Sequence, residues 1–104
     1  MNKEQVIKFL KMIQFAQYAK ILSIQTKMQN DKTWVVLDKE YLKSGEDENN
    51  ITSSYTYYNI EDESCVIIAI NNYTMTARLQ ECSINDLEYD KEELKLNLKV
   101  KNMN

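Results

Sequence analysis

Residues 65–79 read CVIIAINNYTMTARL, two β-prone runs around an Asn-Asn pair. Asn tolerates the positive φ that a tight primed turn needs, so the stretch predicts a β-hairpin with a two-residue loop at Asn71-Asn72. In that register Ile70 faces Tyr73, Ile68 faces Met75 and Val66 faces Ala77, and these residues share one apolar face. The other face sets Cys65, Ile67 and Ala69 against Arg78, Thr76 and Thr74. The first run is apolar on both sides, as suits a central strand. The second alternates, as suits one buried and one wet face. Ile67 among threonines and Arg78 reads either as ordinary sheet surface or as part of a contact surface.

Ahead of the hairpin, Asn2 is a good N-cap, and Gln5 stands three residues on, the spacing of a capping box. Val6, Phe9, Leu10, Ile13, Ile21, Ile24 and Met28 then recur at helical spacing until Asn30-Asp31. The pattern predicts a helix over about residues 3–29, roughly 40 Å long at 1.5 Å per residue. A second stripe, Met12, Phe15, Ala19 and Leu22, lies on the opposite side. One helix on one sheet buries one stripe. The second therefore calls for the chain to fold back over it, or for another copy of the protein in a helix-mediated homodimer. Gln17 falls inside the main stripe, where it either bonds a sheet edge or marks a bend.

Thr33–Asp38 (TWVVLD) favours a strand. Lys39–Ser44 then reads as a helical turn ending at Gly45, and a helix over all of 33–44 competes with both. Trp34 reads as a core anchor. Residues 45–50 (GEDENN) form a polar loop that lacks the ligand spacing of an EF-hand. Thr52–Ile60 reads as a strand, with Tyr55 and Tyr57 on the core side and Tyr58 beside Ile67 on the other face. Glu61–Ser64 is the turn into Cys65. Residues 81–89 continue as a bulged strand, or as a helix capped by Ser83. Leu94, Leu96, Leu98 and Val100 alternate with Lys95, Asn97, Lys99 and Lys101, an edge strand guarded by lysines. The whole predicts a single α+β domain over 1–104: one long N-terminal helix packed on an antiparallel β-meander of four to five strands.

Composition narrows function by what it lacks. The chain has no histidine, one glycine and two cysteines. The commonest general base and metal ligand is missing, no glycine-rich phosphate loop exists, and two distant cysteines make no zinc site. We therefore expect a non-enzymatic protein with no cofactor and no metal. In the hairpin register Cys65 and Cys82 lie several residues apart, beyond a relaxed disulfide, and read as free thiols of a reducing cytoplasm. No apolar run is long enough to span a membrane.

Charge is unevenly placed. Residues 1–45 carry eight lysines against four carboxylates, net +4; residues 46–93 carry two basic residues against twelve acids, net −10; the last eleven residues are net +3. In a meander, alternate turns fall at one end of the sheet. That brings Glu61, Asp62 and Glu63 to the same rim as Asp90, Glu92 and Glu93. Such a rim steers basic partners; the plainer reading is that turns are charged because they are wet. With Tyr58, Ile67 and Arg78 it forms the candidate contact surface. The lysines of the helix are scattered round it, which disfavours direct nucleic-acid binding.

No motif places the chain in a family. Its overall cast (short, acidic, histidine-free, one helix plus a sheet) is similar to phage proteins that block bacterial defence, anti-CRISPR proteins among them. The resemblance carries over no functional residue. It implies a cytoplasmic inhibitor that binds a larger protein with a basic nucleic-acid-binding cleft. A dimeric sponge for a nucleotide signal, with Arg78 and threonines as donors, and a toxin-neutralising immunity protein are the alternatives.

Overall fold

The structure is a computed structural model, and it describes residues 1–86. One helix, α1 (Lys3–Gln29), precedes four strands: β1 (Trp34–Lys43), β2 (Ile51–Asn59), β3 (Cys65–Asn71) and β4 (Thr76–Cys82). The strands pair antiparallel in the order β1-β2-β3-β4, and α1 packs on one face, so the fold is α+β. A short 3₁₀ turn, Ile84–Asp86, follows β4. The alternating segment 94–100 and the turn at 90–93 lie outside the described residues.

The helix begins where its cap predicts. The Asn2 side chain accepts from the Gln5 backbone N–H at 2.9 Å, and the Gln5 side chain accepts from the Asn2 N–H at 3.1 Å. This reciprocal pair satisfies donors that the first turn leaves open. At the far end, Asn30 closes the helix with its N–H on the Thr26 carbonyl.

Only the second half of α1 meets the sheet. Ile21 and Met28 join Tyr57, Ile68, Ile70 and Ala77 in the buried cluster, with Tyr18, Leu22 and Ile24 packed around it. Burying an isoleucine of this kind contributes about 1.5–3 kcal/mol. Gln25 is the one buried polar residue of the helix, and its Nε2 donates to the Tyr57 hydroxyl at 2.9 Å. The limit is length. Seven-residue strands such as β3 and β4 span about 23 Å, against about 40 Å for a 27-residue helix. The main apolar stripe is therefore half core and half surface: Val6, Phe9, Leu10 and Ile13 stand 41, 56, 53 and 47% exposed. Gln17 is exposed too and bonds no sheet edge in the hydrogen-bond pattern of the described residues.

The β3–β4 loop differs from the expected pair of residues. β3 runs through Asn71, which pairs with Thr76, and the loop is 72–75. Asn71 is buried, not a turn residue: its Oδ1 accepts from the N–H groups of Tyr73 and Thr74, both at 3.0 Å. Met75, at φ +55°, supplies the left-handed residue that the loop needs. Ile70 thus pairs with Ala77 and Ile68 with Leu79. The shift is four residues, an even number, so every strand residue keeps its expected face. Tyr73 and Met75 leave the sheet and become exposed.

That same shift corrects the cysteines. Cys65 and Cys82 are directly opposed across β3 and β4, not several residues apart. Both are free thiols, and they are neighbours across the two strands. Burial, reinforced by that neighbour, pushes the Cys65 thiol up to about 12.

β1 is a strand along its whole length, so neither a helical turn at Lys39–Ser44 nor a helix over 33–44 forms. Residues 38–43 pair in step with β2, from Asp38 opposite Thr56 to Lys43 opposite Ile51. A bulge at Leu37, between Val36 and Asp38, interrupts the apolar alternation and gave the stretch its helix-like spacing. Gly45, at φ +75°, turns the chain out of the strand. β4 stops at Cys82, so the predicted strand over 81–89 is not continuous: Ser83 Oγ accepts from the Asn85 N–H at 3.3 Å at the 3₁₀ turn.

Candidate binding surfaces

Two buried asparagines, one at each end of the sheet, build the loops that carry the exposed charge. Asn59 ends β2. Its Oδ1 accepts from the backbone N–H groups of Glu61 at 2.9 Å and Asp62 at 3.2 Å, and its Nδ2 donates to Thr33 Oγ1 at 3.3 Å. The Asp62 carboxylate in turn accepts from the Ser64 hydroxyl and N–H at 2.6 and 2.8 Å, which holds it below the usual carboxylate range. Glu63 completes the turn at φ +62°. Glu61, Asp62 and Glu63 are all exposed. Asp31, in the α1–β1 connection at the same end, is also held low by the Thr33 N–H and hydroxyl. This end of the molecule therefore presents Asp31, Glu61, Asp62 and Glu63 on hydrogen-bonded turns, with Lys32 beside them. The other half of the expected rim, Asp90, Glu92 and Glu93, lies outside the described residues.

Asn71 does the same work at the opposite end. Its Nδ2 donates to Asn50 at 2.7 Å and Thr52 at 3.2 Å, which ties the β3–β4 loop to the β1–β2 loop. Tyr73 donates to the Asp47 carboxylate at 2.7 Å. The Asn49 N–H and this phenol together lower Asp47, and the same bond raises Tyr73. Tyr18 of α1 donates to Asn72 at 2.7 Å, so the helix leaves the sheet at this end.

Tyr58, Ile67 and Arg78 do share one face, on a diagonal across β2, β3 and β4. They are not equally available. Tyr58 is 2% exposed and lies beneath the surface, Ile67 is half-buried, and Arg78 is exposed. Of the expected dimer stripe, Met12 and Phe15 are 69 and 54% exposed and Ala19 is exposed, while Leu22 packs against the core. That stripe is therefore split between solvent and sheet.

Three concavities stand out on the described residues. Arg78 lines one with Thr52, Asn71 and Thr76, the donors expected of a ligand site, but its volume of about 170 Å³ is below the roughly 300 Å³ of small ligand pockets. A second, of about 320 Å³, lies between the end of α1 and the sheet and is lined mainly by Ile24, Met28, Trp34, Val66 and Leu79. The third is an open groove of about 600 Å³ beside the β1 bulge, lined by Gln29, Trp34, Val36, Asp38, Lys39 and Tyr57. Sequence reasoning missed this groove, because the bulge that opens it leaves no composition signal. Among the described residues no cluster of three carboxylate or cysteine side chains could hold a metal ion, and no helix is long and apolar enough to cross a membrane.

No protein-family model, no curated protein and no solved structure matches the chain.

Proposed function

We propose that this chain is a small, acidic, non-catalytic inhibitor of the kind that phages and mobile elements turn against bacterial defence. It acts in the cytoplasm by occupying the basic cleft of a larger nucleic-acid-handling complex. The observation that supports this reading is the fixed acidic turn. Glu61, Asp62 and Glu63 are presented at one tip of the molecule, on a backbone held by Asn59 and Ser64. A turn whose backbone is fixed in this way loses little conformational freedom on binding, and its charge speeds encounter with a basic surface.

The test is titration of the protein into nucleic-acid cleavage by a panel of purified defence nucleases, beside the double variant E61K/E63K. The reading expects stoichiometric loss of cleavage by one member, relieved by added nucleic acid or salt and absent from the variant. Cleavage unchanged across the panel, or inhibition that survives the charge reversal, contradicts it. The groove beside Trp34 and Lys39 favours a second reading, a nucleotide-signal sponge. Native mass spectrometry of freshly purified protein tests that one, and a bare polypeptide mass with no gain from added nucleotides rules it out.

A further inference from the structure

Residues 3–17 of α1 carry Val6, Phe9, Leu10 and Ile13 into solvent as one continuous stripe, and this stripe is the outward extension of the one that forms the core. A free helix of about this length is marginal in water, where only tertiary packing stabilises it. We propose that the stripe is covered by the same stripe of a second copy of this chain, in an antiparallel pair of helices.

Self-complementarity fits. When two such helices run antiparallel about a two-fold axis between Phe9 and Leu10, Val6 of one copy opposes Ile13 of the other, and Phe9 opposes Leu10. Each contact is then made twice, as a closed dimer requires. At the usual interaxial distance of about 8–10 Å the four turns overlap along roughly 22 Å.

Charge complementarity selects the same arrangement. α1 leaves the sheet at the end where Tyr18 meets Asn72 and Tyr73 meets Asp47. The antiparallel register brings the first turn of each helix, with Lys3, beside Ala16 and Gln17 of the other copy. It therefore reaches the end of the sheet that holds Glu46, Asp47 and Glu48, all exposed. Lys3 and the positive end of the helix dipole meet three carboxylates. A parallel pair would set Lys3 against Lys3. The dimer turns the two acidic Glu61–Glu63 tips away from each other, so this inference does not depend on the proposed inhibitory role.

Sedimentation of the full chain across a wide concentration range tests the proposal. The expected result is a species of twice 12.3 kDa that dissociates on dilution. Leu10→Asp, shown to be folded by its far-UV circular dichroism, should weaken the dimer at least tenfold. Lys3→Glu and Glu48→Lys should each weaken it a few-fold at low salt, and the two together should restore it. A mass of 12.3 kDa at every concentration overturns the proposal, as does a dimer that survives Leu10→Asp. A dimer indifferent to both charge changes overturns the antiparallel placement. Phe15→Asp, on the other side of the helix, should leave the dimer intact; if it alone dissociates the pair, the stripe is the wrong one.

Discussion

The two halves of α1 carry the same kind of sequence and have opposite surroundings. Ile21 is 5% exposed, whereas Leu10, on the same stripe, is 53% exposed. Periodicity sets both on one face of one helix. The sheet beneath decides which of them is core, and strands of seven residues are too short to cover the whole helix. An amphipathic stripe thus specifies that something is covered, while the lengths of its neighbours specify how much they can cover.

The sharpest way to break this comparison is to delete matched side chains from the two halves. Ile21→Ala and Ile68→Ala should each destabilise the fold by about 2–5 kcal/mol in urea unfolding, because the cavity sits in a rigid core. Leu10→Ala, measured in dilute solution, should cost under about 0.5 kcal/mol, as exposed positions do. Equal losses would mean that the N-terminal half is packed after all.

Next in size are the asparagines that organise the loops. Asn71→Ala removes the acceptor for Tyr73 and Thr74 and the donor to Asn50 and Thr52. The expected cost is about 1–3 kcal/mol, read as a lower midpoint of thermal unfolding. Asn59→Ala should cost a similar amount and loosen the acidic turn without removing any of its charge. Loss of less than half a kcal/mol at either site would show that the loops hold themselves.

Much of this was legible in the sequence. The capping box and the uninterrupted period gave α1 its limits, and alternation put Tyr55 and Tyr57 on the core face. Where the structure differs from the pattern, the causes are local. Asn71-Asn72 looks like a tight turn because both residues tolerate one, yet Asn71 is the last residue of a strand, and its side chain makes the loop. The residue that adopts positive φ is Met75, a type that gives no such signal. Lys39–Ser44 reads as a helical turn, and 33–44 as a competing helix, because the bulge at Leu37 breaks the period of two. The Cys65–Cys82 pair followed from the loop length and could not be placed without it. Of the candidate site, the acidic turn was legible from composition. The burial of Tyr58 was not, since alternation assigns a face but not what lies over it.

A smaller effect sharpens the contrast between the halves. Asn2→Ala removes the N-cap and should cost about 1 kcal/mol of helix stability. Because the first turns are not packed on the sheet, the loss should appear as reduced helical ellipticity, with the global unfolding midpoint nearly unmoved.

The smallest effect is that of pH. Asp31, Asp47 and Asp62 all have carboxylates held below their ordinary range by hydrogen bonds at loop ends. A depressed pKa gives stability that is present above the ordinary carboxylate value of about 4 and is lost as pH falls through the lower folded value. Stability should therefore decline below about pH 4, with chemical shifts in the three loops moving before those of Ile21 or Ile68. A rise in stability over that window would contradict the assignment.

That one helix serves two surfaces is best examined by residue-resolved amide hydrogen exchange along α1. Ile21–Met28 should exchange only through global unfolding. Val6–Phe15 should exchange far faster in dilute protein and gain protection as concentration rises. Uniform protection from Val6 to Met28, independent of concentration, would contradict it.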